Sequence, residues 1–474
     1  MKKVRNFLRG KLFPCALIAL LWAVGLALLA LHLPRWLAPL AALERLIALF
    51  AGIAVVLSRD TPESKLSKLV LLLLLPWTGA VLCFLWRRKP RLLPPPRPPK
   101  DKEDGILSRA ATYAFPFTGS NVTYADGIDY FPTGKEAFRE LLKDILSAES
   151  YIWLEYYIVA RGALFNRLFF ALSKKAEEGV DVRLLYDGFG SSLTLSKKDV
   201  RQLNSAGIRT HEARPLTARP SAVNRRNHRK IAVIDGEIAY TGGVNLADEY
   251  TGEKLRFGNW KDTAVRVTGE PAAIFASLIG KTLGIEPPSN KSKAKEGIPC
   301  AVIADEAKDN VFRAGAGTLG ALVCSAKKSL CFFTPYFAPD EILLRELKHA
   351  VRAGVEVRIM IPHIPDKKTA FLLTRHFARE LEDAGANVRE YTDGFLHAKC
   401  AAADGEYAFV SSYNLDYRSL YLQSECGLLA RDAGLAADVE RDFSQAWETG
   451  TAVPRERFFA RLARMLVQLF LPFL

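Results

Sequence analysis

No Cys-x-x-Cys pair occurs anywhere in this chain of 474 residues. Its seven cysteines, Cys15, Cys83, Cys300, Cys324, Cys331, Cys400 and Cys426, are odd in number and scattered, and two lie inside apolar segments. This argues against a zinc knuckle and against a disulfide framework, and suits a reduced, cytosol-facing body. There is also no cluster of carboxylates to hold Mg²⁺, so metal-independent chemistry with no cofactor is expected. Basic charge is scarce where a nucleic-acid binder would carry it: of the formal net charge of +14, residues 1–104 hold +11 and the remaining 370 only +3. The excess flanks apolar segments, which points to anionic lipid and to topology signals, with no nucleic-acid partner.

Those apolar segments come first in the chain. Leu12–Leu33 carries no charge, follows Lys2, Lys3, Arg5, Arg9 and Lys11, and is long enough to span a bilayer. Its length argues for an uncleaved anchor over a signal peptide. Trp36–Leu57, interrupted by Glu44 and Arg45, and Leu69–Trp86, containing Pro76, are further candidate spans. Residues 1–89 are therefore expected to anchor the chain as transmembrane helices in the cell membrane, multi-pass, with the body facing the cytoplasm. The Pro-rich stretch 90–104 reads as a semi-rigid linker. At the far end, 455–474 is basic and strongly apolar, which fits a C-terminal helix packed on the body or lying in the interface.

From Gly105 onward, short β-branched or aromatic runs alternate with amphipathic helical patterns, an α/β signature. The pattern occurs twice. Ser150–Ile158 and Ser329–Phe337 read as buried strands; Lys174–Asp187 and Lys348–Pro362 each read as a helix stopped at Gly179 or Gly354 and followed by a strand. A repeat of about 175 residues is too long for a solenoid and indicates duplication. The expected organisation is a first α/β domain at 105–286, a linker at 287–299 and a second domain at 300–454.

Each half holds one His-x-Lys-x-x-x-x-Asp motif: His228, Lys230 and Asp235, then His397, Lys399 and Asp404. In a strand, period two puts His and Lys on one face, and the Asp-Gly that follows begins a turn. Small residues and an asparagine come next, Gly242, Gly243 and Asn245 against Ser411, Ser412 and Asn414. Small side chains let backbone approach a phosphate, and an amide can donate to its oxygens. One such motif would read as a solvated strand face. Two complete copies in two repeated halves point to phosphodiester chemistry. One imidazole can attack phosphorus, another can protonate the leaving oxygen, and two lysines can hold the developing charge. Glu155, inside an apolar run, is expected to be buried and to need a partner: a catalytic Lys or Arg, or an acceptor's hydroxyls. Arg418 is a candidate contact to lipid phosphate, or a structural ion pair.

The duplicated motif resembles that of the phospholipase D superfamily. The flanks Tyr130–Phe138, Trp153–Ile158, Phe257–Val267, Thr334–Asp340, Gly394–Lys399 and Asn414–Ser419 are similar to bacterial cardiolipin synthases. The resemblance implies two phospholipase D-like α/β domains related by a pseudo-two-fold axis. It implies phosphatidylglycerol as substrate, anionic membrane lipid as partner, and cardiolipin and glycerol as products through a phosphohistidine. His228 is then the expected nucleophile and His397 the acid and base. The resemblance also assigns Asp262, 34 residues after His228, and Glu425, 28 after His397, to orienting the imidazoles, leaving Asp235 and Asp404 mainly structural. Ser411 replaces the family's usual Gly and Gln423 its usual Asn, which puts the acceptor in doubt. The alternatives are a hydrolase, transfer to another alcohol, a nuclease and a non-enzymatic scaffold.

Overall fold

A computed structural model describes residues 38–58, 60, 62–85, 105–215, 225–288, 296–307 and 313–455. The chain divides into two compact units, residues 1–90 with 455–474, and residues 91–454.

In the first unit the described residues form three helices, Ala38–Val56, Pro62–Leu74 and Pro76–Leu85. Val55, Leu72 and Cys83 are buried between them, and Lys68 pairs with Asp60. Leu49, Phe50, Leu57, Trp77 and Val81 stay exposed. Among the described residues, no helix is long and apolar enough to cross a membrane. The second apolar segment holds one helix of 19 residues, and the third is divided between two helices that meet at Leu75. Pro62 opens the helix that follows Ala38–Val56, and Pro76 opens a further one inside Leu69–Trp86, because proline has no N–H to give the preceding turn. The segments at 12–33, 90–104 and 456–474 lie outside the described residues.

Among the described residues, the second unit is built on one continuous sheet of fifteen strands. In each half a buried strand sits at the centre, Tyr151–Tyr156 or Ser329–Phe333. On one side it pairs in parallel with Asp181–Asp187 or Glu356–Pro362. On the other it pairs antiparallel with the motif hairpin, Ile231–Ile234 with Ile238–Gly242, or Cys400–Ala403 with Tyr407–Ser411. The near-continuous apolar character of the central strands follows from helices covering both faces. The helices before the parallel strands end at Glu177 and Arg352, and Gly179 and Gly354 follow with φ of +93° and +91°. Those left-handed values are what a glycine permits at little cost.

The halves join where Thr123–Ala125 pairs antiparallel with Ile298–Cys300. The strand order reads outward from that join in the same sequence on both sides, so the pseudo-two-fold axis runs through it. The helix Gly105–Thr118 packs on Ala314–Ser325, where a Cβ on Gly317 would come within 2.7 Å of the Tyr113 ring.

Candidate active site

Both motif hairpins turn through Asp-Gly in left-handed conformation, with φ of +55° and +72° at Asp235 and Gly236, and +57° and +67° at Asp404 and Gly405. Such turns match the strand twist. Each aspartate then reaches back to the central strand. The Asp235 carboxylate accepts from the backbone N–H of Glu149, Ser150 and Tyr151 at 2.7–2.8 Å. Asp404 accepts from Lys327, Lys328 and Ser329 at 2.7–3.0 Å. Both therefore clamp the start of a strand.

The His-x-Lys segments lie just ahead of the hairpin strands, which begin at Ile231 and Cys400 and not earlier as the alternation suggests. The cause is pairing with the opposite half. His228 N donates to Ser424 O at 2.9 Å, and His397 N donates to Lys261 O at 2.7 Å. In the second case Gly394–Leu396 runs parallel to Asn259–Lys261. Each histidine is thereby laid beside the other half's acid. His228 Nδ1 lies 3.0 Å from both oxygens of Glu425, and His397 Nδ1 lies 2.6 Å from Asp262 Oδ2. An Nδ1–H donated to a carboxylate leaves Nε2 with the lone pair, free for chemistry.

All six groups are buried, and both acids are fully so. Lys230 Nζ donates to His228 O at 2.5 Å, and Lys399 Nζ to His397 O. Burial drives His228 well below the ordinary histidine value, and the charges of Lys230, Lys399 and His397 push it the same way. His397 is lowered to about 4, by burial first and then by Lys399, against the opposing pull of Asp262. Burial also lowers Lys230 to about 7 and Lys399 to about 8, and raises Glu425 to about 8. These surroundings favour uncharged imidazoles. An anionic phosphodiester would reverse that bias.

Two of the small residues after the motifs, Gly243 and Ser412, lie against the acids. A Cβ on Gly243 would sit 1.9 Å from Asp262 Oδ1, so the glycine makes room for the carboxylate. At the matching place Ser412 donates to Glu425 Oε2 at 2.5 Å, and Ser419 donates to Oε1 at 2.6 Å. Ser411 is also accommodated. Its partner across the ladder is Gly427, whereas Gly242 faces Ala264. Nothing in the structure accounts for Gln423.

The two asparagines sit in different surroundings. Asn245 accepts from Ile158 N at 3.0 Å and donates to the Tyr250 hydroxyl at 2.7 Å, so its amide braces a loop. Asn414 Oδ1 is buried and meets no donor among the described residues. Among the described residues Glu155 hydrogen-bonds neither a lysine nor an arginine. It accepts from Asn227 Nδ2 at 2.5 Å and Thr282 Oγ1 at 3.2 Å, one residue behind His228. Burial raises its carboxyl. Phe333 occupies the equivalent place in the other half, since Glu155 pairs with Ile231 and Phe333 with Cys400. Sequence reading also passed over the rings that wall the histidines: Tyr157 packs edge-on to His228 at 4.8 Å, and Tyr250 and Trp260 lie 5.6 and 5.5 Å from His397.

The family described as "Cardiolipin synthase, PLD-like domain" matches residues 141–257 and 319–447, one copy in each half. The chain belongs to that family. It is by membership a phosphatidyltransferase of the phospholipase D superfamily. It is 35% identical over 361 residues to cardiolipin synthase 2 of Bacillus cereus, covering 73% of this chain and 70% of the relative. It is 34% identical over 372 residues to the cardiolipin synthase of Alkalihalophilus pseudofirmus, covering 74% and 73%. Among solved structures, phosphatidylserine synthase from Haemophilus influenzae superposes with a TM-score of 0.59 at 16% identity, over 76% of this chain and 97% of that one. That likeness supports the phospholipase D-like α/β fold of the family member described here.

Proposed function

We propose that the protein is a cardiolipin synthase that transfers a phosphatidyl group from one phosphatidylglycerol to a second. His228 Nε2 attacks phosphorus, and the P–O bond to the headgroup glycerol breaks. The protonated Nε2 of His397 gives its proton to that oxygen, and glycerol leaves. A phosphatidyl–His228 intermediate remains. His397, now neutral, takes the proton from a hydroxyl of the second phosphatidylglycerol; its oxygen attacks phosphorus and the N–P bond breaks, giving cardiolipin and restoring both histidines. Lys230 and Lys399 balance charge on the non-bridging oxygens. Glu425 and Asp262 hold the tautomers and stabilise each imidazolium as it forms.

The observation that carries this reading is the crossed pair of histidine–carboxylate contacts, which sets two equivalent imidazoles with opposite tasks in one buried site. Both imidazoles are lowered by burial, which suits attack by a neutral ring, and we assign the attack to His228. The exposed apolar side chains of the N-terminal helices and the basic charge around them support attachment at a membrane, where the substrate resides. The reading needs no metal.

The test is incubation of detergent-purified protein with phosphatidylglycerol alone, with EDTA present, resolving lipids and assaying glycerol. Equal amounts of cardiolipin and glycerol, abolished by His228→Ala, are expected. Phosphatidic acid as the product would replace this reading with hydrolysis, and loss of activity in EDTA would overturn its metal independence.

A further inference from the structure

Two cations at the site take no part in the chemistry above. Arg418 lies in the short helix Tyr417–Tyr421, in the segment that also supplies Ser419 to Glu425. Its guanidinium Nε is buried and meets no acceptor among the described residues. Such a group carries a desolvation cost unless a ligand answers it. Lys367 precedes the helix Lys368–Glu382, is exposed, and holds its ammonium 4.9 Å from the centre of the Tyr336 ring.

The two cations flank one seam: the Tyr336 ring under Lys367 immediately precedes Phe337–Ala338, which pairs in parallel with Leu415–Asp416 just ahead of the helix that carries Arg418. The charge of Lys367 bears on His228. That of Arg418 bears on Tyr157, whose ring packs edge-on to His228 at 4.8 Å. The acids nearest to them are otherwise engaged. Asp366 accepts from the Tyr336 hydroxyl, and Asp416 accepts from Ser419 N at 2.7 Å to cap its helix. Neither cation closes an ion pair with a described residue.

The reacting phosphodiester already has Lys230 and Lys399 to hold its charge. A second set of cations outside that pair fits a second, non-reacting phosphate. We infer that Lys367 and Arg418 form an acceptor subsite that binds the lipid phosphate carried by the incoming alcohol. This rests on the reading of the acceptor as a phosphate-bearing lipid and extends it. The subsite would select phosphatidylglycerol over water and small alcohols by charge, placing its free hydroxyl toward His397. An arginine suits this task because its fork can meet two phosphate oxygens at once.

The experiment uses full-length protein in mixed micelles of phosphatidylglycerol with ethanol as a competing acceptor. Cardiolipin and phosphatidylethanol both arise from one phosphatidyl-enzyme, so their ratio reports acceptor recognition alone. In Lys367→Gln and Arg418→Gln, the ratio of cardiolipin to phosphatidylethanol is expected to fall roughly tenfold or more, as loss of a charge-assisted hydrogen bond implies. Phosphatidylethanol formation should stay near the wild-type rate, which also shows that the variants are folded. Arg418→Lys should recover part of the ratio. An unchanged ratio, or equal loss of both products, overturns the subsite. Wild-type protein that makes phosphatidylethanol but no cardiolipin overturns the acceptor assignment itself, and the subsite with it.

Discussion

His397 Nδ1 lies 2.6 Å from Asp262 Oδ2, although the two residues are 135 positions apart and belong to opposite halves of the repeat. His228 and Glu425 repeat the relationship across 197 positions. The active site is therefore complete only when both halves share one sheet.

Removing the charge of Asp262 tests that relationship. Asp262→Asn should lower kcat for transfer by about 10²–10⁴-fold, the range of a misplaced general acid and base. Adding it to His397→Ala should cost nothing more, since the acid acts through that imidazole. Gly243→Ala should resemble Asp262→Asn, because its Cβ would fall 1.9 Å from Asp262 Oδ1. Steady-state rates of the four proteins decide this; additive losses would separate Asp262 from His397.

The assignment of nucleophile is open to trapping. A donor lipid with a p-nitrophenol leaving group needs no proton to expel it, so the first step can proceed without the acid. His397→Asn should then accumulate a labelled phosphatidyl-enzyme, since nothing activates the acceptor. His228→Asn should accumulate none. The reverse pattern, read by gel and by acid lability of the N–P bond, would exchange the two roles.

A pH profile follows from the same environment. Burial and the lysines lower both imidazoles in the free protein, His397 to about 4. A bound phosphodiester adds negative charge beside them and favours the imidazolium, so the acid His397 gains its proton more readily in the complex. A lowered value means the proton is lost at lower pH; a raised one means it is kept to higher pH. The basic limb, which reports loss of the acid's proton, should thus lie higher in kcat than in kcat/KM. Coincident limbs across about pH 4–9 would show that substrate charge does not reach His397.

Much of this arrangement is legible in the sequence, for physical reasons. The two central strands stand out because burial on both faces makes them apolar throughout, and Gly179 and Gly354 mark helix ends where a left-handed residue is required. The paired His-x-Lys motifs stand out because histidine is rare here, with seven in the chain. What joins the halves is not legible. The seam at Thr123–Ala125 and Ile298–Cys300 is backbone pairing between unremarkable residues. The facing of each histidine to the other half's acid depends on it and on the short parallel pairing of Gly394–Leu396. Glu155 announced itself as buried, but its partner Asn227 could not be read, because strand register decides which side chain lies opposite. In the N-terminal segments, Pro76 opens a new helix inside Leu69–Trp86, which composition alone reads as one run.

The departure at Ser411 yields the last prediction. In the first half Gly242 faces Ala264 across the ladder, and a Cβ there would come within 2.7 Å of Ala264 Cα. In the second half the bulk is exchanged: Ser411 faces Gly427, and a Cβ on Gly427 would come within 2.4 Å of Ser411 Cβ. One member of each pair has to be glycine, because the strands leave no room for two side chains. Gly427→Ala alone should therefore destabilise the fold by about 1–3 kcal/mol, the usual cost of overpacking. Ser411→Gly in the same chain should return part of that loss, leaving a remainder because the new Cβ would also lie 2.8 Å from Phe409 Cε2. Denaturant unfolding of the wild type, both single variants and the double variant gives the coupling between the sites. A coupling of zero would mean that Ser411 and Gly427 do not compensate one another, and that the serine is tolerated through a backbone shift elsewhere in the hairpin.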